Sequence, residues 1–499
     1  MTAAHAPLPR VVGTETEFGI ASMDPSCSDP VVNSIQVIAA YPSLPAPHGV
    51  WDYENENPLL DARGFEVEGE RERPGPEYNR QLNKLLGNGG RLYVDGAHPE
   101  YSTPECLAPR EIVAHERAGE LIAQKALRAL DHARGAGNPF VLYKNNSDGK
   151  GNSYGYHENY LVSRAVSFDT LARVLAPFFV TRQIFAGAGK VGAENQTSPC
   201  EFQISQRADF FESLMDLNTM VKRPIINTRD EPHTDPSKYR RLHVIVGDAN
   251  MAELSTFLKI GTLSLVLDMV EAGWAIPGFE LENPVRAIKE VSRDLEVKQT
   301  LKLADGRPTT ALHIQRAYLQ AAAEFSATRP VSPQSQEVLQ RWGNVLDSLE
   351  SEPMALARQL DWVAKRQMIE SYMERKGCGW SDSRVRLMDL QYHDVRREKG
   401  LYYALERTDR IDRLCSDEVV AEAEHVPPSG TRAYFRGRCV KKYAPAIYGA
   451  SWTSVLFDVG NTTIKKVPLI DPHRGTEALT RSLIDGSDTA AELLSKLQA

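Results

Sequence analysis

Polar and apolar positions alternate along residues 11–20, VVGTETEFGI, with the period of two that marks a strand. Glu15 and Glu17 then share one face, and Thr14, Thr16 and Phe18 the other. Residues 91–95, RLYVD, read the same way and put Arg91, Tyr93 and Asp95 on a single face; HPEYSTPEC at 98–106 is a second extended piece after a Gly-Ala turn. Pro109 opens a helix to about residue 134, with Ala118, Ile122, Ala126 and Leu130 along one stripe. Further strands are predicted near 139–144, 156–164, 200–206 and 241–247, and helices near 252–270, 311–324, 333–349 and 353–376. Strands and helices in this order, without strict βαβ repeats, predict an α+β fold with a largely antiparallel sheet. The turn residues VPPSG at 426–430 predict a boundary between a large domain, 1–428, and a small C-terminal domain, 429–499.

Residues 41–80 break the pattern. Pro42, Pro45, Pro47, Pro58, Pro74 and Pro76 punctuate them, and between Asp52 and Glu77 nine acidic residues face three arginines. A stretch of this length within a domain is functional or disordered. Partial disorder is predicted, with Trp51, Tyr53 and Phe65 as apolar anchors for a segment able to cover a site; an inert tether is the plain alternative.

Composition narrows the class. Hydrophobic residues at 42% and charged residues at 25% of 499 fit a folded globular chain, and a net charge of −8 gives no general attraction to nucleic acid or an anionic membrane. The six cysteines, Cys27, Cys106, Cys200, Cys378, Cys415 and Cys439, form no Cys-x-x-Cys pair, so neither a zinc ribbon nor a disulfide framework is indicated. Met1 to Arg10 has no signal-like apolar core, and the apolar run from Leu254 to Val270 is interrupted by Lys259 and Asp268. A cytoplasmic protein is expected.

The densest polar cluster is Arg91, Tyr93, Asp95, His98 and Glu100. If its strands pair with the one carrying Glu15 and Glu17, four carboxylates meet, and their repulsion is relieved by divalent cations or by protonation. Hard oxygen ligands beside an arginine suit Mg²⁺ held with a nucleotide's phosphates. The plain alternative is a solvated sheet face. GNSYGYHENYLV at 151–162 puts His157 and Asn159 on one face and Glu158 on the other, and a lone histidine is more often structural than a ligand. RRLHVIVGDANMAE at 240–253 offers Arg241, His243 and Asp248, although Asp248 or Asn250 can simply cap the next helix. GAGKVG at 187–192 matches G-x-G-x-x-G, but AENQTSPCEFQI follows where the dinucleotide fold needs a helix, so a mobile turn is expected. The sequence contains no P-loop and no H-E-x-x-H motif.

Taken in order, GTETEFGI, RLYVDGAHPEYSTPEC, GYHENYLV and RLHVIVGDANMAE resemble the pupylation enzymes, a family comprising the Pup ligase and the Pup deamidase/depupylase. The resemblance spans essentially the whole chain. It implies a glutamine-synthetase-like domain whose curved, mainly antiparallel sheet cradles ATP and Mg²⁺, with a small C-terminal domain. It assigns Glu15, Tyr93 and Glu100 to the metal, Asp95 to catalysis, and Arg91, Thr103 and Trp452 to the nucleotide; superfamily analogy adds Glu17 and His157 to the metal set. Arg91 and the metal are expected to stabilise the oxyanion. The 41–80 insertion and the short DGAHPE turn favour the hydrolase over the ligase. A monomer acting on Pup and pupylated proteins is implied; a non-catalytic Pup-binding module and a small-molecule ligase of the glutamate–cysteine ligase kind are the other readings.

Overall fold

Buried and half-buried side chains alternate strictly along Val12–Glu17. The computed structural model, which describes residues 9–42, 49–69, 73–135, 137–460 and 463–498, makes this the central strand of its largest sheet. With β1 as Val12–Glu17, β2 as Asn83–Leu85, β3 as Arg91–Asp95, β4 as His98–Ser102, β5 as Tyr156–Ser163 and β6 as Tyr239–Val244, the six strands run in the order β6-β5-β1-β4-β3-β2. Every neighbouring pair is antiparallel, as the α+β reading requires.

One sheet face is covered by helices. Pro109–Ala133 has proline in its first turn and buries the whole Ala118, Ile122, Ala126, Leu130 stripe. Phe168–Ala186, capped by Ser167, is apolar around nearly its whole circumference, which erases the amphipathic signal that identifies a helix from sequence. Glu253–Glu271 packs beside both. Its N-terminus is not capped by Asp248 or Asn250: Asp248 accepts from Ala188 N, Ser205 Oγ and Gln206 N at 2.8–2.9 Å, Asn250 donates to Asp361, and Asp361 takes the Ala252 N–H at 2.9 Å. Buried charges in this layer are met by charged or polar partners. Glu158, on the buried side of β5, receives both ends of the Arg182 guanidinium at 3.0 and 2.5 Å and the Tyr160 hydroxyl at 2.8 Å.

Three expectations are corrected. Only Phe202–Gln203 of the 200–206 run pairs as a strand, because the Ile204 N–H goes to the Ser292 carbonyl and the Gln206 N–H to Asp248. The 353–376 helix divides into a 3₁₀ turn, Pro353–Arg358, and Asp361–Lys376, with Leu360 extended between them. The GAGKVG segment is buried rather than an open turn from Gly187 to Lys190: Lys365 Nζ donates to the Gly189 carbonyl at 2.6 Å, and a Cβ on Gly189, at φ +71°, would lie 3.0 Å from Trp362 and Phe202.

Beyond Arg432, the helix Ala433–Lys442 and the strands Ile447–Ser451, Ser454–Phe457 and Lys465–Pro468 enclose a separate apolar cluster including Tyr434, Phe435, Ile447, Phe457 and Leu493. The sheet of this region gains a fourth strand from the insertion, since Val50–Trp51 pairs in parallel with Gly449 and Ala450. Within 41–80, residues 43–48 and 70–72, on which the disorder expectation falls, lie outside the described residues. Trp51 is 2% exposed and Tyr53 half-buried, whereas Phe65 is exposed beneath the Arg63 guanidinium and anchors nothing. Among the described residues no helix is long and apolar enough to cross a membrane.

The Glu158–Arg182 pair gives the first test. Arg182→Ala leaves a buried carboxylate without its counter-charge and is expected to cost about 3–5 kcal/mol, read as a lower denaturant midpoint. Replacing both partners by apolar residues of similar size should cost less than the single change; an equal or greater loss would show that the pair's geometry, not its charge, supports the sheet.

Candidate active site

Sheet register gathers the polar residues on the face opposite the helices. Glu17 lies opposite Glu100, which lies opposite Tyr93; Glu15 lies between Ser102 and His157; Asn159 lies between Gly13 and His243; and Asp95 faces His98 across the Gly96-Ala97 turn. Two groups of possible cation ligands result: Glu17, Asp95 and Glu100, and Glu15, His157 and His243, each with ligand atoms within 4.8 Å of one another. Tyr93 stands beside the first, its hydroxyl donating to Glu100 Oε1 at 2.6 Å. Glu100 Oε2 is buried with no hydrogen-bond partner among the described residues, the orphaned oxygen a hard cation would satisfy. The donor sets fit a divalent ion.

The two groups differ in charge state. Burial pushes the Glu17 carboxyl up to about 7; Asp95 adds to this, against the opposing charges of His157 and Arg207. Burial, then Asp95, Glu15 and Glu17, raise Glu100 well above the carboxylate range. Burial acts on Glu15 too, but the hydrogen bond and charge of His157, with Arg241 and Arg229, outweigh it and hold Glu15 down at about 2. His157 Nδ1 and Asn159 Nδ2 each lie 3.0 Å from a Glu15 oxygen. Asn159 in turn accepts from Arg241 at 2.7 Å and His243 Nδ1 at 2.8 Å, and Arg241 donates to Glu231 at 3.1 Å. Glu231 also takes the Asn57 N–H of the insertion at 2.5 Å, so a continuous set of hydrogen bonds joins residues 50–57 to Glu15.

A cleft opens beside Glu15, lined by Thr103, Glu105, Arg241, Arg432 and Trp452. Thr103 and Trp452, assigned to one ligand from sequence, do share this space, and Thr103 Oγ1 is held by the Thr14 N–H at 2.9 Å. Arg91 does not line it. Its guanidinium lies between the rings of Trp51, 4.1 Å from the centroid, and Tyr93, 3.8 Å, and bonds to Asn83 and Tyr53. Along an extended strand the Arg91 and Asp95 backbones are roughly 13 Å apart, and the Arg91 guanidinium is held between Trp51 and Tyr93 rather than beside Asp95. The guanidiniums whose charges bear on Glu17, beside Asp95, are those of Arg207 and Arg223.

Sequence reasoning found Glu15, Glu17, Tyr93, Asp95, Glu100 and His157, all on this face. It grouped Arg241 with His243 without placing them beside Glu15, which a count of the β5–β6 register would have done. Arg207, Arg223, Glu231 and the pairing of Glu105 with Arg432 and Arg436 carry no local pattern, their partners being remote in the chain.

A cation at Glu17, Asp95 and Glu100 must displace the protons that burial and mutual repulsion keep on Glu17 and Glu100. Affinity for Mg²⁺ is therefore expected to rise from about pH 6 to about pH 8, with proton release on binding, as titration calorimetry in buffers of different ionisation enthalpy would measure. A pH-independent affinity would place the ion at the already ionised Glu15 alone.

The model of the Pup-ligase protein family matches residues 10–456. The Depupylase of Acidothermus cellulolyticus is 48% identical over 499 residues, covering 98% of this chain and 99% of that protein. The Pup deamidase/depupylase of Mycolicibacterium smegmatis is 45% identical over 98% of this chain and 99% of its own. A Pup-protein ligase of Mycolicibacterium vanbaalenii is 42% identical over 82% of this chain and 91% of its own. Among solved structures, the complex between the prokaryotic ubiquitin-like protein Pup and its ligase PafA superposes with a TM-score of 0.80 at 33% identity, over 96% of this chain and 92% of the ligase. PafA in complex with ADP gives 0.74 at 34% identity, over 85% and 97%. With the family model covering most of its length and such relatives spanning nearly all of it, this chain belongs to the Pup-ligase protein family.

Proposed function

We propose that this protein hydrolyses the side-chain amide of the C-terminal glutamine of Pup to glutamate and, by the same reaction on an isopeptide bond, releases Pup from the lysines of pupylated proteins. The observation that carries this reading is extent. Relatives named for depupylation align over 98% of the chain at 48% and 45% identity, whereas the ligase aligns over 82% at 42%. The chain is accordingly a Pup deamidase/depupylase in its main reading, working as a cytoplasmic monomer with a catalytic domain over 1–428 and a small domain over 429–499.

The cleft beside Glu15 suits a nucleotide, with Trp452 and Thr103 as its walls and Arg241 near the carboxylate end; a related ligase is solved with ADP. We assign ATP to it as a bound cofactor, with Arg91 ordering the wall through Trp51 rather than touching the reacting bond. Mg²⁺ is assigned to Glu15, Glu17, Glu100 and His157, with Tyr93 acting through Glu100. When bound, the ion supplies positive charge that polarises the amide carbonyl. Asp95, exposed at the hairpin end, attacks the amide carbon or takes a proton from the attacking water. Arg207 and Arg223 offset the negative charge that forms on the carbonyl oxygen. The carbon–nitrogen bond breaks, water supplies hydroxyl to the carbon and hydrogen to the nitrogen, and ammonia or the lysine amine leaves.

The ligase is the second reading, favoured by the close superposition on PafA in its Pup complex. Incubation with Pup ending in glutamine decides between them. Conversion to a terminal glutamate, seen by mass spectrometry without stoichiometric ATP loss, is the expected result. Coupling of Pup ending in glutamate to a lysine, with one ATP consumed per bond, would establish the ligase instead. Asp95→Asn should lower turnover by about 10²-fold or more while nucleotide affinity stays nearly unchanged. Glu15→Ala and Glu100→Ala should each weaken Mg²⁺–ATP binding by roughly tenfold, and unchanged binding in both would remove the metal assignment.

A further inference from the structure

The wall of the cleft farthest from the metal-side carboxylates contains a carboxylate of the opposite kind. Burial would raise Glu105, but the Arg436 and Arg432 guanidiniums and their hydrogen bonds hold it down at about 2. Arg432 Nε donates to Oε1 at 2.7 Å, Arg436 donates to the same oxygen at 3.2 Å, and its other terminal nitrogen donates to Oε2. The Arg436 guanidinium has two further attachments. It donates to the Gly89 carbonyl, ahead of β3, at 2.9 and 2.8 Å, and to the Trp452 carbonyl at 3.1 Å. Its central carbon lies 5.0 Å from the Trp452 ring centroid, and the Trp452 ring meets Trp51 edge to face at 5.0 Å.

Trp452 thus has few ways to stand: Arg436 fixes its backbone and faces its ring, and Arg436 is oriented by Glu105. Without the carboxylate, Arg432 and Arg436 become two buried guanidiniums on one wall, which would repel each other and turn toward the cleft. We propose that Glu105 is a positioning residue for the base end of the bound nucleotide, setting the Trp452 wall through Arg436. This rests on the reading of the cleft as a nucleotide site. Glu105 need not touch the ligand; it determines the surface the ligand meets.

A merely structural clamp between Glu105 and the C-terminal region predicts something different, and a double-mutant cycle separates the two. The affinity for ADP with Mg²⁺ is measured by calorimetry for the full-length parent, E105Q, W452F and the double variant, with R436K as a second probe that keeps the charge but not the fork. Under the proposal, E105Q and R436K each weaken ADP by roughly tenfold in the parent background and by no more than about twofold in W452F, because the wall they set is already altered. Glu105→Asp, which keeps the charge, recovers part of the loss. An equal loss in both backgrounds, or unchanged affinity in E105Q and R436K, overturns the assignment while leaving the nucleotide site in place. Absence of ADP binding by the parent overturns the site reading and this inference together.

Discussion

Three carboxyl groups held within 4.8 Å of one another set the terms for the rest of the site. At an effective dielectric of about 20, two full negative charges at that spacing repel by about 3–4 kcal/mol, so Glu17, Asp95 and Glu100 cannot all ionise without compensation. Protons or a divalent ion can provide it, and the surroundings leave the choice open. Tyr93 donates one hydrogen bond to Glu100, and no side chain of the described residues reaches its second oxygen. One pleat away, Glu15 is compensated in advance by His157, Asn159 and the charge of Arg241. A cation entering such a sheet would meet an ionised carboxylate at Glu15 and would have to displace protons at Glu17 and Glu100.

Such a face needs a rigid back. The same strands that present Glu15, Glu17, His157 and Asn159 to the site bury Thr14, Thr16, Tyr156, Glu158 and Tyr160 on the other side, and the ion pairs there are closed among themselves. Lys144 joins Glu116 and Glu120 at 3.2 and 3.0 Å, and Lys259 is held by the Asp248 carbonyl and Asn250. Alternation along an antiparallel strand keeps these two charge systems apart with the backbone between them. The insertion and the C-terminal region complete the front. Val50–Trp51 adds a strand to the C-terminal sheet, and the same segment covers Arg91 and bonds to Glu231, so the 50–57 stretch is built into the site's wall.

What could be read from the sequence was local. A period of two identified β1 and β3, and it placed Glu15, Glu17, Arg91, Tyr93 and Asp95 on their faces before any pairing was known. Proline at the start and a four-residue stripe located Pro109–Ala133 nearly to its ends. The pattern failed where burial takes in nearly the whole circumference, as in Phe168–Ala186 from Leu175 on, and where side chains replaced backbone pairing, as after Gln203. It also failed in depth along a strand. A shared face was read as a shared volume, which joined Arg91 to Asp95 although three residues of extended chain lie between them. The residues missed altogether, Glu105, Arg207, Arg223 and Glu231, act through partners far along the chain, where no spacing rule reaches.

That limitation has a physical counterpart in the two ends of the site. At the carboxylate end, chemistry depends on which oxygens have lost their protons, and the controlling groups lie two residues apart on neighbouring strands, where a sequence pattern exposes them. At the Trp452 end the charges of Arg436 and Arg432 hold the Glu105 carboxyl down at about 2 against its burial. Shape must do the selecting there, and shape is set by contacts between Glu105 after β4, Gly89 ahead of β3, Arg436 in the C-terminal helix and Trp51 in the insertion. The reactive end can therefore be inherited in a few short motifs, while the selecting end exists only once the insertion and the C-terminal region have closed on the sheet.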